Sequence, residues 1–229
     1  MKYNQFFVII YLIMKFKLGD SVMNKIYVKR ILTHMADENC YIIYKNNKGI
    51  IVDPGLGFSK IKKIISELNI DIEAIILTHA HFDHILSLEE CREYFNVDVY
   101  ISKKENEWLE NPDLNCSKLF GLPVEVVCKR AEHEFEEYKE YTLADMTFKV
   151  LPTPGHSPGS LSFDFGEFII VGDALFKSGY GRYDLPGGDY YALKNSLQNI
   201  LYKLDGNKIV YSGHGDETTI ERERELNLI

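Results

Sequence analysis

Apolar positions along the chain come in short runs separated by Gly, Pro, Asn and Asp. Residues 26–32 and 40–44 are rich in β-branched and aromatic side chains, which fit a pleated surface and predict strands. Asn46-Asn47-Lys48-Gly49 reads as a turn into a third strand at 50–52, and Asp53-Pro54-Gly55 ends it. The period then changes. Phe58, Ile61, Ile64, Ile65 and Leu68 fall on one face of a helix over 58–69. A strand at 73–77 follows, then a polar cluster, then a helix to about residue 95. Residues 97–101 predict another strand, and the stretch around Trp108 is helical. Residues 122–145 mix short strand-like runs with an acidic patch and give no clear pattern.

The second half is a series of strands that each end in a marked loop. Residues 147–151 lead into Pro152-Thr153-Pro154-Gly155-His156. A hairpin over 161–165 and 168–171 turns at Gly166-Glu167 and runs into Gly172-Asp173. A Gly-rich loop at 178–189 precedes a helix over 190–204. A last strand at 208–211 ends in Gly213-His214-Gly215, and a charged helix closes the chain. Strand ends thus deliver His79, His156, Asp173 and His214. Loops leaving rigid strand ends can converge on one rim.

The polar cluster carries the chemistry. His79-Ala80-His81-Phe82-Asp83-His84 places three imidazoles and a carboxylate within six positions. Imidazole nitrogen and carboxylate oxygen suit borderline first-row cations such as zinc. In an extended chain, residues two apart point the same way, so His79 and His81 can address one metal. Asp83 and His84, at the turn into the next helix, can address a second beside it. His133, in the acidic patch, and His34, without metal-type neighbours, read as solvated side chains.

With 45% hydrophobic and 26% charged residues, the 229-residue chain has a globular composition. Its length fits one domain, expected over residues 24–229 behind an N-terminal extension, 1–23. The apolar run at 6–14 is too short to span a bilayer, and no small-residue cleavage site follows it. A secreted or anchored protein is therefore the minor reading. The net charge of -8 repels polyanions, and the densest basic cluster, Lys60-Ile61-Lys62-Lys63, falls on a predicted helix. Neither a nucleic-acid partner nor stable membrane association is expected. The four cysteines form no C-x-x-C pair; buried thiols in a reducing cytoplasm are expected. The pattern sets no oligomeric state.

Taken together, Thr78-His79-Ala80-His81-Phe82-Asp83-His84, Thr153-Pro154-Gly155-His156, Gly172-Asp173 and Gly213-His214-Gly215 resemble the metallo-β-lactamase-fold hydrolases, in family order. Asn39-Cys40-Tyr41 and Asp53-Pro54-Gly55 also fit, and the resemblance covers about residues 24–228. The chain is most similar to small glyoxalase II-like proteins, whose typical loop resembles Gly181-Arg182-Tyr183-Asp184-Leu185-Pro186-Gly187-Gly188-Asp189. The resemblance implies an α/β (α+β) fold, a four-layer αββα sandwich with metals at one edge of its two sheets. It implies that His79, His81 and His156 hold one metal, that Asp83, His84 and His214 hold another, and that Asp173 bridges them. The ions implied are two divalent cations, zinc foremost, with iron or manganese as alternatives. β-Lactam-degrading members commonly carry cysteine near the Asp173 position, which argues against an antibiotic hydrolase. Larger glyoxalase II enzymes carry a helical C-terminal region that helps bind glutathione. This sequence ends at Ile229 without one, which weighs against glutathione specificity.

An open two-metal site lowers the pKa of a bridging water from about 15.7 toward 7, so hydroxide becomes available at neutral pH. The expected reaction is hydrolysis of a small-molecule thioester of the hydroxyacyl-glutathione type. A leaving thiolate of pKa about 8.5 needs little acid catalysis. Asp83 is either a ligand only or also the proton acceptor for the nucleophile. Asp53 is either a carboxylate orienting a ligand imidazole or a plain turn former. Lys177, Tyr180 and Arg182 are candidate substrate-binding residues, although Arg182 could instead pair with Asp184. The competing enzyme class is a mononuclear iron persulfide dioxygenase, for which His79, His156 and Asp173 would suffice.

Overall fold

The structure is a computed structural model and describes residues 25–229. The apolar run at 6–14 and the expected extension 1–23 lie outside the described residues. Two six-stranded sheets face one another. The first holds β1 (Tyr27–Leu32), β2 (Asn39–Lys45), β3 (Lys48–Val52), β4 (Asp71–Ile76), β5 (Val99–Ser102) and β6 (His133–Phe135), in sequence order. Its first three strands run antiparallel, and β3 to β6 run parallel. The second sheet holds β7 (Glu140–Leu143), β8 (Met146–Pro152), β9 (Leu161–Asp164), β10 (Phe168–Gly172), β13 (Ile209–Ser212) and β14 (Thr218–Thr219). Only the β10–β13 pair in it is parallel. Leu175–Phe176 and Gly179–Tyr180 form a separate small hairpin, β11–β12.

Alternation along the strands builds four layers. Tyr41, Ile43, Ile50, Val52 and Ile76 face Phe148, Val150, Phe163 and Ile170 between the sheets. The residues between them point outward: Ile42, Ile51 and Ile75 meet Ile61 and Ile65 of the helix Phe58–Leu68, and Cys91 of the helix Leu88–Phe95. On the other side Ile169, Val171 and Val210 pack on Leu193, Leu197 and Leu201. Central strands covered on both faces have no polar side, hence their continuous apolar runs. The α–β–β–α order matches the fold expectation.

Several boundaries differ from the sequence reading. The helix expected after the His cluster is two, Phe82–Ile85 and Leu88–Phe95. Ser87, between them, turns its hydroxyl to the amides of Gly57 and Phe58 at 3.0 and 3.1 Å, serving the start of the helix Phe58–Leu68. The helix expected at 190–204 is a true α-helix only over Tyr190–Asn195, then a wider turn, Ser196–Ile200, and a tight one, Leu201–Lys203. The unassigned stretch 122–145 supplies edge strands β6 and β7.

Strand ends from both sheets meet at one edge. The Leu161 amide donates to the Thr78 carbonyl at 2.9 Å, joining β9 to the end of β4. The Gly213 amide donates to Gly172 at 2.8 Å, and the Asn39 amide to Gly213 at 2.7 Å. Parallel strands present their carboxyl ends together, so the loops leaving them share one crevice.

Candidate metal centre

Every predicted ligand lies at that edge. The loop after β4 carries His79 and His81, and the short helix Phe82–Ile85 carries Asp83 and His84. The loop after β8 brings His156, the end of β10 brings Asp173, and the end of β13 brings His214. His79, His81 and His156 offer nitrogens within 4.8 Å of one another, and so do the donor atoms of Asp83, His84 and His214. Asp173 lies between the sets. Its Oδ2 is 3.6 Å from His156 Nε2 and 3.4 Å from His214 Nε2, and its Oδ1 is 3.4 Å from His84 Nε2.

The outer nitrogens of four rings are held by the protein, while inward-facing nitrogens meet one another, His81 Nδ1 standing 2.9 Å from His156 Nε2. His84 Nδ1 meets Asp53 Oδ2 at 3.0 Å, His156 Nδ1 meets the Arg182 carbonyl at 2.7 Å, and His214 Nδ1 meets the Ala36 carbonyl at 3.0 Å. His79 Nδ1 faces Thr78 Oγ1 at 3.0 Å, and that hydroxyl donates to Asp53 Oδ2 at 2.6 Å. Such outer hydrogen bonds fix ring orientation and leave the other nitrogen free to ligate. Asp53 also takes the Thr78 amide at 2.8 Å. It therefore orients imidazoles, and its oxygens are spent on that task although it also falls within donor range of His79 and His84.

The donor set fits a cation. His79 Nε2, His84 Nε2 and Asp173 Oδ1 are buried with no hydrogen-bond partner among the described residues. An orphaned buried polar atom costs about 1–3 kcal/mol, and a metal ion removes that cost for several atoms at once. Burial, then the neighbouring imidazoles, holds His79 well below the ordinary histidine range; burial and His156 push His81 down to about 3. Both are therefore neutral, the form that ligates metals. In the other half burial works downward, but Asp173 and Asp83 outweigh it, so His84 is raised well above its usual range and His214 to about 10. Burial pushes Asp173 up, yet His84 and His214 hold it well below the carboxylate range.

Residues 36–214 match the description of the metallo-beta-lactamase superfamily. The chain belongs to that superfamily. Membership and the His/Asp groups imply divalent metal ions. The chain is 39% identical to a probable metallo-hydrolase of Streptococcus pyogenes serotype M6 over 90% of each chain. It is 32% identical to the hydroxyacylglutathione hydrolase GloC of Haemophilus influenzae, over 83% of this chain and 91% of that one. Among solved structures, the B3 metallo-beta-lactamase BLEG-1 matches with a TM-score of 0.84 and 37% identity, over 87% of this chain and 97% of that one. TTHA1623 in a di-iron-bound form matches with a TM-score of 0.79 and 32% identity, over 88% and 99%. As a metallo-hydrolase of this superfamily, the protein is an enzyme.

A cavity of about 550 Å³ opens above the ligands, with His81, Asp83, His156, Asp173 and His214 on its floor. Of the three expected substrate-binding residues, only Arg182 lines it. Its guanidinium forks onto Asp184 at 2.8 and 2.9 Å, which is the pairing alternative of the sequence reading. Lys177 pairs with Asp216 at 3.2 Å, and Tyr180 is half-buried in the β11–β12 hairpin; neither belongs to the cavity wall. His133 is exposed and meets Asp98 at 2.8 Å, and His34 is exposed. All four cysteines are buried free thiols.

Glu105 was not foreseen. Fully buried, it accepts from the Ala80 amide at 2.7 Å, the Gly159 amide at 2.6 Å and the Ser157 hydroxyl. It ties the loop of His79 and His81 to the loop of His156. The run Ser102-Lys103-Lys104-Glu105-Asn106-Glu107 gives no sign that this glutamate differs from Glu107, which is solvent-facing.

Proposed function

We propose that the chain is a thioester hydrolase that works with two divalent ions. One observation carries this reading: a second donor set, Asp83, His84 and His214, stands beside His79, His81 and His156, with Asp173 within 3.6 Å of both. A single-iron facial site would need only three of these donors. The likeness to GloC supports the thioester class. Bound ions would supply Lewis acidity and a water ionised near neutral pH.

The chain's own groups do the rest. Asp173 sets the spacing between the donor sets. Asp53, the Arg182 carbonyl and the Ala36 carbonyl fix three imidazoles in one tautomer each. Asp83, 3.3 Å from His214 Nε2 on the cavity floor, serves as a ligand. A departing thiolate is stable enough to leave without a dedicated acid. Among the described residues no helix is long and apolar enough to cross a membrane. The buried free thiols support a reducing, cytoplasmic setting.

The test is metal analysis of protein purified without added metal, followed by parallel assays. S-lactoylglutathione, glutathione persulfide and, because BLEG-1 is a metallo-beta-lactamase, a β-lactam are compared. The expected result is two ions per chain and thioester cleavage. One iron per chain with oxygen consumed on the persulfide would replace this reading with the dioxygenase.

A further inference from the structure

The cavity wall differs sharply from its floor. Met35, Phe82, Phe120, Leu122, Phe176 and Leu185 make up most of it. Phe82, Leu185 and Cys116 form a small apolar cluster of their own, with Met35 and Leu122 packed against it. Phe82 lies between His81 and Asp83 in the chain, so the apolar wall starts directly at the ligands, where a substrate carbonyl must lie. Phe120 lies tilted against Phe82, with centroids 5.3 Å apart, yet is 50% exposed at the rim. Leu119 and Val124, on the same segment, are exposed as well. An apolar lip left in water beside a catalytic floor is the mark of a surface that a ligand covers.

Charge is scarce by comparison. Among the described residues the one cation in the wall, Arg182, is neutralised by its fork onto Asp184 and has its guanidinium carbon 5.9 Å from the Phe120 ring. Glutathione brings two carboxylates and an ammonium, and burying unpaired charges is costly. We propose, resting on the thioester reading, that the substrate's acyl group is an apolar aliphatic chain lying against Phe82, Phe120, Leu122 and Leu185. The reaction is then water adding to the acyl carbon, the C–S bond breaking, and a free fatty-type carboxylate leaving with the protonated or ionised thiol.

The metal-loaded protein is assayed with acetyl, butanoyl and hexanoyl thioesters of one small neutral thiol, N-acetylcysteamine, beside S-lactoylglutathione. Burial of one methylene corresponds to about a fourfold gain, so kcat/KM should climb by roughly that factor per added CH2. Phe120→Ser should flatten the climb when each rate is normalised to acetyl. Hexanoate should bind the loaded protein more tightly than lactate by calorimetry, a readout free of turnover. A flat or falling series, or S-lactoylglutathione surpassing every aliphatic thioester, overturns the apolar class and leaves the thioesterase reading standing. If no thioester is cleaved, the thioesterase reading falls, and the calorimetry alone decides the apolar class: equal binding of hexanoate and lactate overturns it.

Discussion

The Glu105 carboxylate accepts the amide of Gly159 at 2.6 Å on one oxygen while its other oxygen accepts the amide of Ala80 at 2.7 Å. One buried side chain thus spans the loops that deliver three of the imidazoles. An amide cannot reproduce this, because one end of Gln would present hydrogens to a backbone donor. Glu105→Gln should weaken zinc binding about ten- to a hundredfold, the usual scale for a group that orients ligands. Competition with a chromophoric chelator measures it. Glu107→Gln, at a solvent-facing neighbour, serves as the control and should bind as the parent does. Equal affinity in the Glu105 variant would show that the loops hold their places without it.

The two halves of the centre differ in what a metal must displace. His214 is raised to about 10 and His84 well above its ordinary range, against burial, by Asp173 and Asp83. At pH 8 His214 therefore carries a second ring proton in the metal-free protein, His84 is biased the same way, and a ligating imidazole must give that proton up. His79 and His81 are held low and have none to release. Loading with zinc at pH 8 should thus release about two protons per chain or more, one from His214 and one from the water that bound ions ionise, with His84 adding to them, and affinity in the His84–His214 half should fall as pH falls. Calorimetry in buffers of different ionisation enthalpy counts those protons. A count of about one, the water's alone, contradicts the carboxylate–imidazole pairing seen here.

How much of this could be read from the chain depends on distance along it. The cluster from His79 to His84 is local, and a spacing of two or four residues states its own geometry. The alternation of Tyr41, Ile42 and Ile43 between two cores is local too, and it makes the strands legible. Glu105 acts on residues 25 and 54 positions away, and no periodicity encodes that. Leu193, Leu197 and Leu201 keep a spacing of four through the change from α-helix to a wider turn, so the apolar pattern conceals the break. Ser87 interrupts a helix because its hydroxyl serves Gly57 and Phe58, a debt incurred in another element.

Asp173 faces three imidazoles, His84, His156 and His214, at 3.4 to 3.6 Å. Asp173→Ala removes the group between the donor sets and takes one counter-charge from each of His84 and His214, leaving Asp53 beside the first and Asp83 beside the second. Thioester turnover should fall by orders of magnitude, and zinc content should drop in the same protein. Unchanged turnover in this variant refutes the role given to Asp173.

Gly213 shows how closely the last strand approaches the centre. A Cβ there would overlap the Asp173 carboxylate and press on the His84 ring. The carboxylate would have to move, and it now sits 3.4 Å from His84 Nε2. A misplacement of about 1 Å at a reacting centre can cost on the order of a hundredfold in rate. The added methyl itself should destabilise by only about 1–3 kcal/mol, the usual penalty for overpacking. Gly213→Ala should therefore lose turnover far out of proportion to its change in melting temperature. Gly179→Ala, where a Cβ meets nothing within 4 Å, is the matched control. If the Gly213 variant keeps both its turnover and its zinc content, the carboxylate has room that this geometry denies it.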